Sequence, residues 1–173
     1  MVLEDFNDIR SYTDQEIPEA MEFFINDEVS LEVAKTVIPD ASIEQIKGLL
    51  GSIKTIDEFQ KTVMTRFVNW IITNTMNRVD TQGFETLKKD KAYLFTGNHR
   101  DITLDAFILQ SCMVDHNLPT SNIAYGTNLI MNEQIDVFSR ANKLFRVERS
   151  HNVRELTQNS QHLSDYIRFL IQA

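Results

Sequence analysis

Short apolar segments alternate with helical stretches after residue 80, and this alternation constrains the fold more than any other feature of the chain. Three segments rich in β-forming residues are each followed by a stretch with helical periodicity. The predicted strands are 92–96, 121–125 and 144–148, and the predicted helices are 102–113, 132–141 and 153–171. Such a repeat is typical of an α/β fold, in which helices flank a largely parallel sheet.

The first 80 residues predict helices only. One helix is expected from an N-cap at Thr13 as far as Val29, and a second from Ser42, with Pro39 between them. The longest is expected over 55–77, where an aromatic and aliphatic stripe that includes Trp70 predicts a buried face. The sequence therefore predicts two parts, an acidic helical region over 1–80 and an α/β domain over 81–173.

The formal net charge of −8 is concentrated in the first part of the chain. Residues 1–80 contain 15 acids and 7 bases, whereas residues 81–173 contain 10 of each. An acidic chain is repelled by the phosphates of nucleic acids, so nucleic-acid binding is not expected. The single cysteine, Cys112, and the lack of a signal sequence or a long apolar run predict a soluble or peripheral protein of the reducing cytosol.

A histidine and two carboxylates follow the first predicted strand. His99 comes directly after it, and Asp101 and Asp105 lie two and six residues further on. A carboxylate can fix the tautomer of a histidine ring, which leaves the other ring nitrogen to take a proton from a hydroxyl. The segment therefore indicates a general base. The alternative is a surface histidine in a loop next to a helix that Asn98 or Asp101 caps.

A basic cluster lies between residues 140 and 154, which hold five lysines or arginines and one acid. It includes Lys143, Arg146 and Arg149. Arginine donates paired hydrogen bonds to phosphate oxygens, so this local excess indicates a phosphate site. The alternative is a solvated surface, or a set of partners for the acidic N-terminal helices.

Together these two segments resemble the glycerol-3-phosphate and lysophosphatidate acyltransferase superfamily. The run GNHRDITLD at 97–105 is similar to the family's first block, an Asn-His pair after a strand with an aspartate downstream. The run FRVER at 145–149 is similar to the end of the second block, and 126–129 to the region between the blocks. The resemblance covers roughly residues 80–170 and implies an acyltransferase-like α/β fold.

The resemblance implies transfer of a fatty acyl group to a hydroxyl of a phosphorylated glycerol or a lysophospholipid. His99 would be the general base. Arg149, helped by Arg146 or Lys143, would hold the acceptor phosphate.

The family's aspartate lies five residues after the histidine, where this chain has Leu104. The carboxylate role therefore falls to Asp105 or Asp101. We favour Asp105, because a turn longer by one residue would let it reach the ring.

The implied reaction needs no metal or organic cofactor, because acyl-CoA or acyl-carrier protein serves as co-substrate. Its expected place is the cytoplasm, or the inner face of the membrane with peripheral contact. The family's third block is not found in the sequence, so we expect an N-terminal fragment of a longer enzyme, in which the acceptor site is only partly built.

Two other hypotheses remain open. The chain could be a non-catalytic binding or membrane-docking module on the same fold, with the acidic helices as its docking part. It could also be a metal-dependent hydrolase that uses His99 with the two nearby aspartates. The remaining histidines, His116, His151 and His162, are expected on surface loops or helix surfaces.

Overall fold

Helices dominate the computed structural model, which describes residues 2–98, 100–150 and 152–172. The helices are α1 (Ile17–Asn26), α2 (Glu28–Val37), α3 (Ile43–Ser52), α4 (Ile56–Phe59), α5 (Thr65–Thr75), α6 (Leu104–Asp115), α7 (Glu133–Ala141) and α8 (Val153–Gln172). The strands are β1 (Ile123–Gly126) and β2 (Leu144–Val147). Within the described part of the chain, no helix is both long and apolar enough to cross a membrane.

The chain forms two units that do not follow sequence order. Residues 14–121 form a helical unit, and residues up to Thr13 join those from Asn122 onward in an α/β unit. The predicted division at residue 80 falls inside the helical unit and stays a prediction.

Capping side chains define the first helices of the helical unit. The carboxylate of Asp27 accepts from the amide of Ser30 at 2.8 Å, which starts α2 and divides the single helix that the sequence predicted there. The capping box predicted between Ser42 and Gln45 is confirmed at the start of α3.

The predicted helix over 55–77 is confirmed, with a change of hydrogen bonding in its middle. Thr55 and Glu58 form a capping box at its start, and Gln60–Met64 is π-helical between α4 and α5. Phe59 and Val68 are buried, whereas Trp70, predicted as core, is only half-buried. The apolar face is therefore covered best in the first half of this helix.

The strand predicted at 92–96 is wrong. These residues form no strand, and Tyr93, Leu94 and Phe95 are exposed, with Leu94 at 88%. β-forming residues make a strand only where a neighbouring strand satisfies their backbone groups, and none pairs with this segment among the residues described. The helix that follows is confirmed as α6, which starts two residues later than predicted.

The α/β unit contains a parallel pair of strands, which confirms the general α/β class. β1 pairs with β2 from Ile123 opposite Leu144 to Gly126 opposite Val147, and α7 connects them. The sheet that the structure describes therefore has two strands, not the larger number that the sequence predicted.

The two helices of this unit cover opposite faces of the sheet. Arg146 points to α7, where it pairs with Asp136, whereas its neighbours Phe145 and Val147 pack with α8. The N-terminal segment completes this unit, because Phe6 and Ile9 lie in the same apolar cluster. The amide of Arg146 also donates to the carbonyl of Ile9 at 2.8 Å.

Candidate active site

The turn that leads into α6 is closed by Asp105. Its Oδ2 accepts from the amide nitrogens of Arg100 at 2.7 Å and Asp101 at 3.0 Å. Asp105 is the second residue of α6, and helical side chains tilt towards the N-terminus of their helix, so its carboxylate points back over the turn. The predicted base, His99, lies outside the described residues.

Asp101 has a different role in the same turn. Its Oδ1 accepts from the amides of Thr103 at 2.9 Å and Leu104 at 2.8 Å, so it caps the start of α6. Thr103, the residue just before α6, makes no side-chain capping bond. Asp101 therefore makes the capping contacts described by the alternative interpretation of this segment, whereas Asp105 accepts from the amides of the two residues that follow His99 in the sequence.

Arg149 lies beside Gly126 at the carboxyl end of the sheet. A Cβ atom built on Gly126 would come within 3.4 Å of Arg149 Nε and 2.5 Å of Asn128 Oδ1. Successive residues of a strand face opposite sides of the sheet, so a Cβ on Gly126 would point away from the face that carries Tyr125. Arg149, which lies next to that Cβ position, is therefore on the face that α8 covers. Because Gly126 has no side chain, the Arg149 guanidinium and the Asn128 side-chain amide can lie close to its backbone.

Arg146 is engaged in an ion pair on the opposite face. Its Nη2 and Nε donate to the two carboxylate oxygens of Asp136 at 2.5 and 3.1 Å, and its Nη1 donates to the carbonyl of Asp8 at 3.0 Å. Burial opposes the charged guanidinium, but the hydrogen bonds and charge of Asp136 outweigh it and raise the pKa of Arg146. The side chains of Arg146 and Asp136 are 24% and 17% exposed.

Tyr125 joins the same cluster from β1. It lies opposite Arg146 in the parallel register, and its hydroxyl donates to Asp136 Oδ1 at 3.1 Å. Burial, and then the adjacent carboxylate of Asp136, raise the pKa of Tyr125 to about 12. The carboxylate of Asp136 on α7 therefore bonds to one residue of each strand, Tyr125 of β1 and Arg146 of β2.

The three basic residues predicted to share a phosphate site are not brought together. Lys143 precedes β2 in a left-handed conformation with a φ of 62°, whereas Arg149 follows the other end of that strand. Arg146 lies on the opposite face from Arg149. The length of β2 thus separates Lys143 from Arg149, and the alternation of side chains along it separates Arg146 from Arg149.

Sequence reasoning missed the partners of Arg146. Asp136 and Tyr125 were not singled out, although Tyr125 and Arg146 both lie within segments predicted as strands. Reading alternate positions of both strands would have shown that Arg146 and Arg149 do not share a face. Nothing in the sequence identifies Asp136 as the partner of Arg146 before the packing of α7 on the sheet is known.

Two of the other histidines have well-defined surroundings. His162 lies 3.0 Å from the Asp8 carboxylate, and the ring of His116 stacks on Phe84 with 4.6 Å between centroids. His151 lies outside the described residues. Within the part that the structure describes, no group of three or more histidine, cysteine or acidic side chains is arranged to hold a metal ion.

Comparison with known proteins adds no family assignment. No protein-family model, no curated protein and no solved structure matches the chain.

Proposed function

We propose that the chain is an acyltransferase of glycerolipid metabolism. It would move a fatty acyl group from acyl-CoA or acyl-carrier protein to a hydroxyl of a phosphorylated glycerol or lysophospholipid. We propose a cytoplasmic location, either free or in peripheral contact with the inner face of the membrane. The proposed fold is the acyltransferase-like α/β arrangement, of which β1, α7 and β2 would form part.

The position of Asp105 is the observation that carries this proposal. Its carboxylate lies 2.7 Å from the amide nitrogen of Arg100, the residue that follows His99 in the sequence. The two backbone hydrogen bonds that it accepts hold the negative charge in place, as a carboxylate that orients a histidine requires. The family's aspartate position is occupied by Leu104, and Asp105 is the next residue, which can reach the ring if the turn is longer by one residue.

Arg149 supports the second half of the proposal. It is exposed, it follows a strand of a parallel pair, and its guanidinium lies beside the glycine that ends the neighbouring strand. Ligands of parallel sheets gather at the carboxyl ends of strands, and a guanidinium there suits a phosphate. Arg146 is a weaker candidate for phosphate binding because Asp136 occupies its guanidinium.

In the proposed reaction, His99 removes the proton of the acceptor hydroxyl while that oxygen attacks the carbonyl carbon of the thioester. The tetrahedral adduct expels the thiolate as the carbon–sulfur bond breaks. The proton on His99 then passes to the thiolate, so the products are the ester and the free thiol. Asp105 stabilises the protonated ring, and Arg149 positions the acceptor through its phosphate.

The test is acyl transfer by the complete protein, since this chain alone is expected to hold only part of the acceptor site, from labelled acyl-CoA or acyl-carrier protein to glycerol 3-phosphate and to lysophosphatidate. We expect His99→Ala to lower the rate by about 10²- to 10⁴-fold while circular dichroism and the thermal midpoint stay unchanged. An unchanged rate in His99→Ala contradicts the proposal. So does a complete wild-type protein that transfers to neither acceptor from either donor.

A docking role for the acidic helices is the second candidate. Val29 and Val33 lie one turn apart on α2 and are 59% and 50% exposed, which suits contact with a partner or a lipid surface. Deleting residues 1–80 cannot test this role cleanly, because Phe6 and Ile9 belong to the core of the α/β unit. Val29→Ser with Val33→Ser is the sharper change, and vesicle flotation that it leaves undiminished argues against this role.

A further inference from the structure

Four large aliphatic side chains form an exposed line along α8. Val153 is 78% exposed, Leu156 47%, Ile167 38% and Ile171 65%. At 3.6 residues per turn these positions fall on one side of the helix within a narrow sector. The line runs from the first turn of α8 to its last, a length of about 27 Å.

The α/β unit does not need this line for its own core. The side of α8 that packs against Phe6 and Phe145 carries Tyr166, which is 1% exposed, together with Leu163 and Leu170. The exposed line adjoins that packed side and leaves large aliphatic groups in water. An apolar surface of this extent on a folded chain marks a contact surface.

The order of large and small side chains along this line is nearly the same from either end of the helix. Large side chains occupy both ends, Val153 with Leu156 and Ile167 with Ile171, and the serines at 160 and 164 lie between them. Measured from residue 162, the outer residues are nine positions away on either side and the serines two, whereas Leu156 and Ile167 are six and five positions away. A helix that pairs with an antiparallel copy of itself about a two-fold axis needs this symmetry.

We propose that α8 is the contact surface for a second copy of this chain, with the two helices antiparallel and the two-fold axis near residue 162. Val153 then lies level with Ile171 of the other copy, and Leu156 lies within one residue, about 1.5 Å along the axis, of Ile167. Ser160 meets Ser164, and these small side chains let the helix axes approach closely at the centre. Antiparallel pairing also places opposite ends of the two helix dipoles side by side.

A lipid surface suits this helix less well. The exposed line contains no charged residue, and the rest of α8 has acids and bases in equal number, with Glu155 and Asp165 against Arg154 and Arg168. Helices that lie on membranes usually carry an excess of basic residues on the polar side. The net charge of −8 adds repulsion from anionic lipid.

The first experiment measures the mass of the full chain in solution by sedimentation equilibrium over a range of concentrations. We expect a dimer. Leu156→Gln with Ile167→Gln should raise the dissociation constant by about tenfold or more, because it removes the apolar contacts at both ends. Gln161→Ala with Gln172→Ala, exposed positions with the same spacing outside the line, should leave the dissociation constant unchanged.

The second experiment tests the register by oxidative cross-linking. A mixture of Ser160→Cys chains and Ser164→Cys chains should form a disulfide between the two kinds of chain. Ser160→Cys chains alone should form little, because the antiparallel register offsets that residue from its own copy beyond disulfide reach. The unsubstituted chain gives the background, since Cys112 is buried.

Three results would overturn the proposal. The first is a chain that stays monomeric at all concentrations, whether or not it also binds lipid vesicles through the exposed side chains of α8. The second is a dimer that the substitutions at 156 and 167 leave intact. The third is efficient cross-linking of Ser160→Cys chains to one another, which indicates a parallel pair.

Discussion

Asp105 accepts a hydrogen bond from the amide of Arg100 at 2.7 Å, so the second residue of α6 closes the turn that precedes its own helix. The amide of Asp101 donates to the same oxygen at 3.0 Å. The turn is therefore held around a negative charge. The role proposed for Asp105 is to orient His99, and this relationship is the basis of the first prediction.

Asp105→Asn should lower the rate of acyl transfer by about 10²-fold or more. The side-chain oxygen of asparagine can still accept from the amides of Arg100 and Asp101, so the turn should keep its shape. The substitution removes only the negative charge, which is proposed to stabilise the protonated ring of His99. The measurement is kcat for transfer from acyl-CoA, with circular dichroism as the check on folding.

Asp101→Ser is the matched control. Serine caps helices as well as aspartate does, but it carries no charge. The rate of acyl transfer should therefore stay within about threefold of wild type, since Asp101 caps α6 in this structure. A loss as large as that of Asp105→Asn would assign the carboxylate role to Asp101 instead.

Asp101→Ala should destabilise the chain by about 1 kcal/mol, since two amides at the start of α6 lose their acceptor. Asp101→Ser should have almost no effect on the free energy of unfolding, because its hydroxyl replaces the lost carboxylate oxygen. The measurement is urea denaturation followed by circular dichroism. Equal stabilities for the alanine and serine variants would contradict the capping role.

The helices could be predicted well from the sequence because their signals are local. The cap at Ser42 lies within three residues of its partner Gln45, and the apolar spacing of α8 needs no knowledge of the fold. Both strands of the parallel pair were predicted for a similar reason. Each is a short run rich in β-forming residues between turn residues.

The failures concern relationships between distant residues. The segment at 92–96 has the composition of a strand, but composition cannot supply the neighbour that a strand needs. The contribution of Phe6 and Ile9 to the core formed with Tyr166 was also invisible, because more than a hundred residues separate them in the chain.

The candidate site combines both cases. The arginines at 146 and 149 appeared as one basic cluster, although alternation along β2 directs them to opposite faces, whereas the pairing of Arg146 with Asp136 depends on how α7 packs. Only the turn between residues 100 and 105 could be anticipated, because its hydrogen bonds are local.

Removing Asp136 should destabilise the chain by about 2–3 kcal/mol, because Asp136→Ala leaves the guanidinium of Arg146 largely buried without its partner. Replacing both residues together, as Asp136→Leu with Arg146→Met, should recover much of that loss, since no unpaired charge remains. Urea denaturation of the single and double variants measures the coupling. Additive losses in the two single variants would show that the pair is not coupled.

The stability of the chain should fall as the pH rises from 10 to about 12. The pKa of Tyr125 is raised from 10.0 to about 12 by burial and by Asp136, so the unfolded chain loses this proton first. The contribution of Tyr125 is therefore fully present below pH 10 and is lost as the pH approaches 12, by roughly 2–3 kcal/mol. In Tyr125→Phe this component of the pH dependence should be absent. Parallel stability curves for the two proteins in this pH range would contradict the assignment.

Arg149→Met should raise KM for a phosphorylated acceptor by about 10- to 100-fold, the range expected for losing hydrogen bonds to a charged group. KM for the acyl thioester should stay constant, because only the acceptor phosphate is proposed to meet this side chain. Arg154→Met is the control, as it removes an exposed arginine nearby in sequence with no proposed role. Gly126→Ala should shift KM in the same direction, since its methyl group would displace the Asn128 amide and contact the Arg149 guanidinium. If Arg154→Met raises KM as much as Arg149→Met does, the effect is one of general surface charge and the assignment of Arg149 is wrong.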